Sequence, residues 1–371
     1  MANKNKGEAV TAWVIAKYTL AVLGVLITTA FLYFIRDALL IAFAGVIFAV
    51  ILSGFSGMIR QYIPISRGWS IAAVGALILF LITSFGFIFG AQIVEEFDQF
   101  SKKLPQQISQ LRETISEWPL GSELLGGENG NGEVSLQEEI EDQEEENGSG
   151  DDMPEGASGM AFQAGVTIVD IIATFGLIVI IGIYFVIDPE TYKNGIALFF
   201  TKKRAKRINE ALETSGNALW SWLKGQFIIM IFVGVVVTIG LMIIGVPLAL
   251  VLGLIAGLSE FIPIIGAWIG AIPGILLAFS VDVQTGLYTT IFYIVIQQIE
   301  SNILSPLIQQ HMVHIPPAVV ILSVVAFGLV FGMTGVILAT PLAVITMVLV
   351  GMFYVQDVLG KKVKIPGQAE T

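Results

Sequence analysis

A chain of 371 residues that is 55% hydrophobic and 13% charged, with a mean hydropathy of +0.82, lies outside the soluble globular class, in which about a quarter of residues are charged. Its apolar residues come in blocks of about 20 rather than in alternation, which points to membrane-crossing helices and away from a β-barrel. There are no cysteines, so disulfides, thiol catalysis and thiolate metal sites are excluded.

The formal net charge of −11 is local. Residues 121–159 hold 13 acidic side chains and no Lys or Arg, whereas the rest of the chain holds 17 acidic and 19 basic residues. The polar stretch 1–11 is followed by an apolar run of full span length without a small-residue cleavage site, so no cleaved leader is expected.

In chain order, the first three apolar blocks fall at 13–35, 38–59 and 69–94. Phe97, Phe100, Leu104, Ile108, Leu111, Ile115 and Trp118 then recur every three or four residues, which predicts an amphipathic helix started or kinked by Pro105. The Gly-, Asn-, Ser- and Glu-rich stretch 121–159 is expected to be a disordered, solvated acidic loop; its carboxylates lack EF-hand spacing. A fourth block covers 162–187. Asp188-Pro189-Glu190 then reads as an N-cap followed by proline at the first helical position. The basic run at 202–207 is better read as a topology determinant facing anionic lipid than as a nucleic-acid site. Further blocks lie at 226–244, 246–280 (broken), 286–308 and 317–351.

Counted once each, these blocks make an all-α polytopic membrane protein with about eight membrane segments. Numbering the loops alternately places fourteen Lys and Arg residues on one side and four on the other. The positive-inside rule therefore puts both termini and residues 188–225 in the cytoplasm and the acidic loop outside. The expected organisation is three membrane helices in 1–94, an extracytoplasmic helix and acidic insert in 95–161, and a fourth membrane helix in 162–187. A cytoplasmic basic segment in 188–225, a transport core with broken helices in 226–351, and a cytoplasmic tail in 352–371 complete it.

Ionisable residues within membrane segments are costly, at least about 2.5 kcal/mol each at the centre, and are functional candidates by default. Lys17 is near a span end and can snorkel. Asp170 sits about 12 Å inside its span, where it is either an ion ligand or a wall of the acidic vestibule. Glu300 is the strongest case, because Gln297-Gln298-Ile299-Glu300-Ser301-Asn302 puts five polar residues inside an apolar span. Gln297, Glu300 and Ser301 share one helical face, and so dense a cluster predicts a polar cavity. The broken block carries Glu260, Pro263 and Gly266. Its first piece, 246–259, is about 21 Å long as a helix, too short for a ~30 Å core. Pro263 removes a backbone donor, and unwound backbone at that depth is tolerated where it lines a cavity, as in transporters.

The last block, at 35 residues or about 52 Å as a straight helix, is too long for one crossing. Gly328, Gly332 and Gly335 near its middle, with Pro341 beyond, allow it to be a second hairpin, so the C-terminal half is consistent with an inverted repeat of two re-entrant or broken hairpins. Eight plain crossings satisfy the charge rule equally well. His311 and His314 lie i, i+3 beside Pro316 and Pro317 without a third ligand, so they read as loop histidines and no metal site is expected. Neither a catalytic triad nor a Walker motif is present, so an enzyme or an ATP-driven pump is not indicated, and no cofactor is expected beyond Na+ or H+ as a coupling ion. The residues point to a secondary transporter, with a passive channel or a non-transporting scaffold as competing readings.

Phe261-Ile262-Pro263-Ile264-Ile265-Gly266, Gln298-Ile299-Glu300-Ser301-Asn302 with Pro306, Pro316-Pro317, Gly332-Met333-Thr334-Gly335 with Ala339-Thr340-Pro341, and Lys224-Gly225-Gln226 together resemble the signatures of the autoinducer-2 exporter family. Ala267 stands where that family often has proline, and the acidic insert is longer than expected. The resemblance implies a multi-pass protein of a prokaryotic plasma membrane, with the lipid bilayer, a small-molecule or ion substrate and further copies of itself as partners, and no nucleic acid. It implies export of a small polar signalling sugar derivative coupled to protons or sodium, or Na+(Li+)/H+ antiport. Glu260 and Glu300 are expected to meet at one site near the bilayer midplane. Two carboxylates there oppose one another's ionisation, so that one holds a proton and exchanges it for a cation.

A reporter inserted within 121–159 is expected to be accessible only from outside the cell, and one beside residues 202–207 only from inside. A cytoplasmic signal from the first would overturn this topology.

Overall fold

Long apolar runs fold as helices in lipid because no water is present to take up unpaired backbone groups. The computed structural model describes residues 17–20, 22–31, 33–81, 83–88, 157–309 and 315–368. Its helices are α1 (Lys17–Phe31), α2 (Arg36–Tyr62), α3 (Arg67–Ile88), α4 (Ala157–Ile187), α5 (Pro189–Ala197) and α6 (Lys202–Ile244). They continue as α7 (Ala249–Ser259), α8 (Ile265–Val281), α9 (Val283–Ile299), a π-helical turn (Glu300–Leu304) and α10 (Ser305–Gln309). Then come α11 (Pro317–Ile337), α12 (Ala339–Leu349) and a second π-helical segment (Val350–Gln356). The amphipathic helix expected over 97–118, the acidic stretch up to residue 156, and His311 and His314 lie outside the described residues.

By length and composition, six helical runs among the described residues could cross a membrane, two of them (Val283–Ile308 and Ala339–Gln356) by continuing through a π-helical segment, or seven if the pair Ala173–Ile187 and Pro189–Ala197, bent by 84°, counts as one span. Large apolar side chains such as Phe34, Phe87 and Leu329 face outward, as they do where lipid is the solvent. This is a helical, multi-pass membrane protein. Block 246–280 divides into helices of 11 and 17 residues, each below span length.

Two boundaries differ from expectation. Helix α4 begins at Ala157, three residues inside the stretch expected to be disordered. The basic segment is not a separate helix: α6 runs unbroken for 43 residues, about 64 Å, because nothing between Lys202 and Ile244 interrupts the backbone ladder. The cap at Asp188 is as expected. Its side chain accepts from the Thr191 N–H at 3.2 Å, with Pro189 in the first turn.

The chain forms two compact units. The first comprises Met1–Met58, Thr174–Leu219 and Ile315–Thr371. Here α2 and α4 cross at glycines: a Cβ on Gly182 would lie 2.9 Å from the Gly45 carbonyl oxygen. Small residues permit this approach where hydrophobic driving force between helices is weak. Arg207 joins α6 to the C-terminal segment, donating to Asp357 at 2.9 Å and Gln356 at 2.8 Å while pairing with Glu210 at 3.0 Å. In α11 the backbone at Gly332 takes φ 64°, ψ −150°, a conformation that needs glycine. A Cβ on Gly328 would lie 2.9 Å from Val336, eight residues on. Eight residues span about 12 Å of a straight helix, so the chain folds back at Gly332. Block 317–351 is therefore a hairpin.

The second unit comprises Ile59–Ala173 and Trp220–His314. The last part of α6 packs antiparallel on α7, α7 on α8, and α8 on α9, around Val233, Val237, Leu241, Leu252, Ala256, Leu277 and Ala278. The α6–α7 contact is made at glycines. A Cβ on Gly253 would strike the Thr238 hydroxyl and lie 2.8 Å from the Gly234 carbonyl oxygen.

Gly253→Ala is expected to cost about 1–3 kcal/mol, because backbone rather than a flexible side chain stands in the way. Gly216→Ala in the long helix α6 meets open space and is expected to be neutral or to stabilise by up to about 1 kcal/mol. Thermal unfolding of the detergent-purified variants checks both; equal midpoints would contradict the close α6–α7 approach.

Candidate functional site

The break between α7 and α8 is a compact structure, not a frayed end. The α7 helix ends as the Phe261 and Ile262 amides turn back to the carbonyls of Leu258 and Ser259, at 3.1 and 3.0 Å. The Ile265 amide then donates to the Pro263 carbonyl at 2.9 Å, closing a three-residue turn centred on Ile264, whose φ is 74° and ψ −56°. This is the rare γ-turn with positive φ, and a β-branched residue in it is strained. Pro263 suits the preceding position because its missing N–H is not needed there. The Ser259 hydroxyl reaches across the tip to the Gly266 carbonyl at 2.8 Å. Gly266 must be glycine, since a Cβ would strike the Ser259 carbonyl.

Two side chains from α6 hold this tip. Trp222 meets Phe261 edge to face at 5.6 Å. The Gln226 amide, buried, donates to the Glu260 backbone carbonyl. Gln226 is two residues beyond Lys224, so the tip lies at the Lys224 end of the apolar stretch 226–244 rather than beside its middle. The reason is that α7 runs antiparallel along most of this stretch before it breaks, with Gly253 beside Gly234 and Gly257 beside Met230.

Opposite the tip, α9 passes into the π-helical turn at Glu300, where the Ser305 amide donates to the Glu300 carbonyl five residues back. Such widened turns are frequent at functional sites. The Glu300 carboxylate accepts from the Gln297 amide at 2.6 Å and from the Ser305 hydroxyl at 3.3 Å. Glu260 is buried, 4% exposed, and its side chain faces the same place. Glu260, Gln297 and Glu300 line one cavity with Ala267, Tyr293 and apolar residues of α6, α7 and α9. The space open to the centre of a water molecule is about 10 Å³, roughly room for a single water. Among the described residues, no hydrogen-bond donor or basic group reaches the Glu260 carboxylate.

Other candidates are placed elsewhere. Gln298 at the end of α9 and Asn302 in the π-helical turn are both exposed, and the Asn302 amide donates to the Gln298 side chain at 2.7 Å. Ser301 is exposed too, its hydroxyl turned back to the Gln297 carbonyl at 2.7 Å, so the expected trio of Gln297, Glu300 and Ser301 loses its third member. Asp170 is exposed and is not part of the cavity wall. Pro263 shapes the tip without lining the cavity. Three contributors escaped the sequence reading of the site: Gln226, Tyr293 and Ser305. The signal for Tyr293 was its position one turn before Gln297 on the same face.

The model of the AI-2E family of transporters matches residues 22–354. The chain belongs to this family. Among curated relatives, a Bacillus subtilis (strain 168) protein named as a candidate transport protein, YrrI, is 34% identical over 158 residues, 43% of this chain and 45% of its own length. A Thermotoga maritima protein named in the same way is 32% identical over 152 residues, 41% of this chain and 46% of its own. Escherichia coli (strain K12) PerM, named as a candidate permease, is 26% identical over 176 residues, 46% and 49% of the two chains. The chain thus spans about half the length of these curated relatives.

Gln226→Leu removes the donor to a buried carbonyl and is expected to destabilise by about 1–3 kcal/mol. Gln226→Glu, which can still donate when protonated, should recover part of that at low pH in the same unfolding measurement. A Gln226→Leu protein as stable as the parent would show that the tip is held by other contacts.

Proposed function

We propose that this AI-2E family member is a secondary transporter in which Glu260 and Glu300 form an exchange site for a proton and a small cation. The supporting observation is the Glu260 carboxylate, buried within the second unit and without a donor among the described residues. An isolated buried carboxylate anion is far too costly to persist, so it takes up a proton or binds a cation. Glu300, whose own donors are in place, adds a second negative charge across the same cavity. Oxygen ligands of this kind suit hard cations such as sodium or lithium.

A cavity with room for about one water fits a bare ion. That favours Na+(Li+)/H+ antiport as the reaction of this site. Export of a small polar solute, autoinducer-2-like, coupled to a proton or sodium gradient, rests on the same carboxylates. It requires the hairpin tip and α9 to separate far enough to admit a larger molecule. On either reading the protein is placed in a prokaryotic plasma membrane as a homo-oligomer with both termini cytoplasmic.

Purified protein in proteoliposomes, under imposed sodium and proton gradients, tests the site directly. Glu300→Gln and Glu260→Gln are each expected to lower gradient-coupled flux more than tenfold while leaving the size-exclusion profile of the parent. A fully active Glu300→Gln protein would sink the proposal. Flux that never accumulates substrate against its gradient would mark a passive channel instead.

A further inference from the structure

Helix α9 carries more polar groups on its cavity face than the carboxylate site uses. Thr289, Tyr293, Gln297 and Glu300 follow one another at four-, four- and three-residue steps, within about 80° of arc and over about 16 Å of helix. Thr289 is 0% exposed and Tyr293 8%. The hydroxyls of both are fully buried and have no hydrogen-bond partner among the described residues. An unsatisfied buried hydroxyl costs about 1–3 kcal/mol. Two in succession on one face, leading away from a cavity, call for a ligand.

Local backbone does not satisfy them. The neighbouring Thr290 shows the ordinary solution, its hydroxyl donating to the Gly286 carbonyl one turn back at 2.9 Å. Thr289, one residue round the helix, does not make that bond. Tyr293 belongs to the apolar core of the second unit, beside Leu277, Ala278 and Ile296, and its ring borders the cavity. Room for its phenol is made by α8: a Cβ on Gly274 would lie 2.5 Å from the Tyr293 oxygen and 2.9 Å from its ring. A phenylalanine would fill the same apolar space and leave no orphan oxygen.

We propose that the exchange site continues along α9 as a two-hydroxyl track, with Tyr293 as a further ligand of the cation bound by Glu260 and Glu300, and Thr289 as its next station away from the cavity. The inference rests on the cation-exchange reading of the carboxylate pair and adds to it a third ligand and a direction of travel. A phenol and an alcohol are neutral oxygen ligands. They replace part of a hard cation's hydration without trapping it as a further carboxylate would, which is what a site that must both load and release requires.

The test compares the parent with Tyr293→Phe, Thr289→Val, Thr289→Ser and Thr290→Val in two measurements. The first is the rise in thermal midpoint of detergent-purified protein on titrating sodium or lithium chloride against choline chloride, which reports binding without transport. The second is sodium-dependent flux in proteoliposomes. Tyr293→Phe is expected to raise the half-saturating cation concentration about tenfold in both. Thr289→Val should slow maximal flux several-fold with little change in half-saturation, Thr289→Ser should restore it, and Thr290→Val should behave as the parent. In choline the Tyr293→Phe and Thr289→Val midpoints should equal or exceed the parent's, since removing an unsatisfied buried hydroxyl does not weaken the fold; a lost fold cannot then explain lost flux. Parental cation dependence in both variants, with Glu300→Gln inactive, overturns the track and leaves the carboxylate site standing. No response of the parent to sodium or lithium in either measurement overturns both.

Discussion

One buried amide makes the rest of the second unit possible. By donating to the Glu260 carbonyl, Gln226 satisfies a backbone acceptor that the end of α7 leaves open in apolar surroundings. Without such a partner, ending a helix beside a membrane span would expose carbonyls to a medium that cannot solvate them. The tip then turns within five residues, closed by backbone bonds, the Ser259 hydroxyl and the ring of Trp222. Because the tip is held, the Glu260 side chain has a defined position opposite α9.

Close packing sets how much space is left. Gly234, Gly253 and Gly257 let α6 and α7 approach at backbone distance, and Gly270 brings α8 so close to α7 that a Cβ there would lie 2.6 Å from the Ala256 Cα. Hydrocarbon provides little force to press helices together, so this contact is won by dispersion between closely fitted surfaces. The carboxylate cavity is what remains where the fit is interrupted by the γ-turn on one side and the π-helical turn on the other. Both irregularities lie at the same place, and each costs regular hydrogen bonding or strain. Their coincidence with two carboxylates is the pattern expected of a site held in shape by its surroundings.

The first unit is built differently. Its fold-back at Gly332 uses a backbone conformation open to glycine, with no buried carboxylate among the residues that line it. Arg207 instead ties α6 to the C-terminal segment through charged contacts. Arg207 bridges Asp357 and Gln356 with a planar fork of donors that a lysine could not reproduce. The tail is docked as well as tethered: Ile365 is buried, and Gly367, at φ 77°, lies against the backbone of α6 at Thr214 and Ala218, where a side chain has no room.

By itself the sequence determined the helical membrane class, because blocks of twenty apolar residues have no other stable use for their backbone groups. It also marked where helices can break, at Pro263 and among Gly328, Gly332 and Gly335, and where α5 starts, after Asp188, though not whether the last block folds back. These are local effects of missing donors, positive φ and capping, and they act whatever surrounds them. The polar cluster at 297–302 was legible for the same reason. Its division was not: Gln297 and Glu300 turn inward, while Gln298, Ser301 and Asn302 turn out. Helical period says which residues share a face, not what covers it, and the π-helical turn at Glu300 alters the period at that point. The role of Gln226 on the backbone of a residue 34 positions away and the orphan hydroxyls of Thr289 and Tyr293 were decided by tertiary structure alone. Each depends on what an unconnected helix places opposite, and no pattern within one helix carries that information.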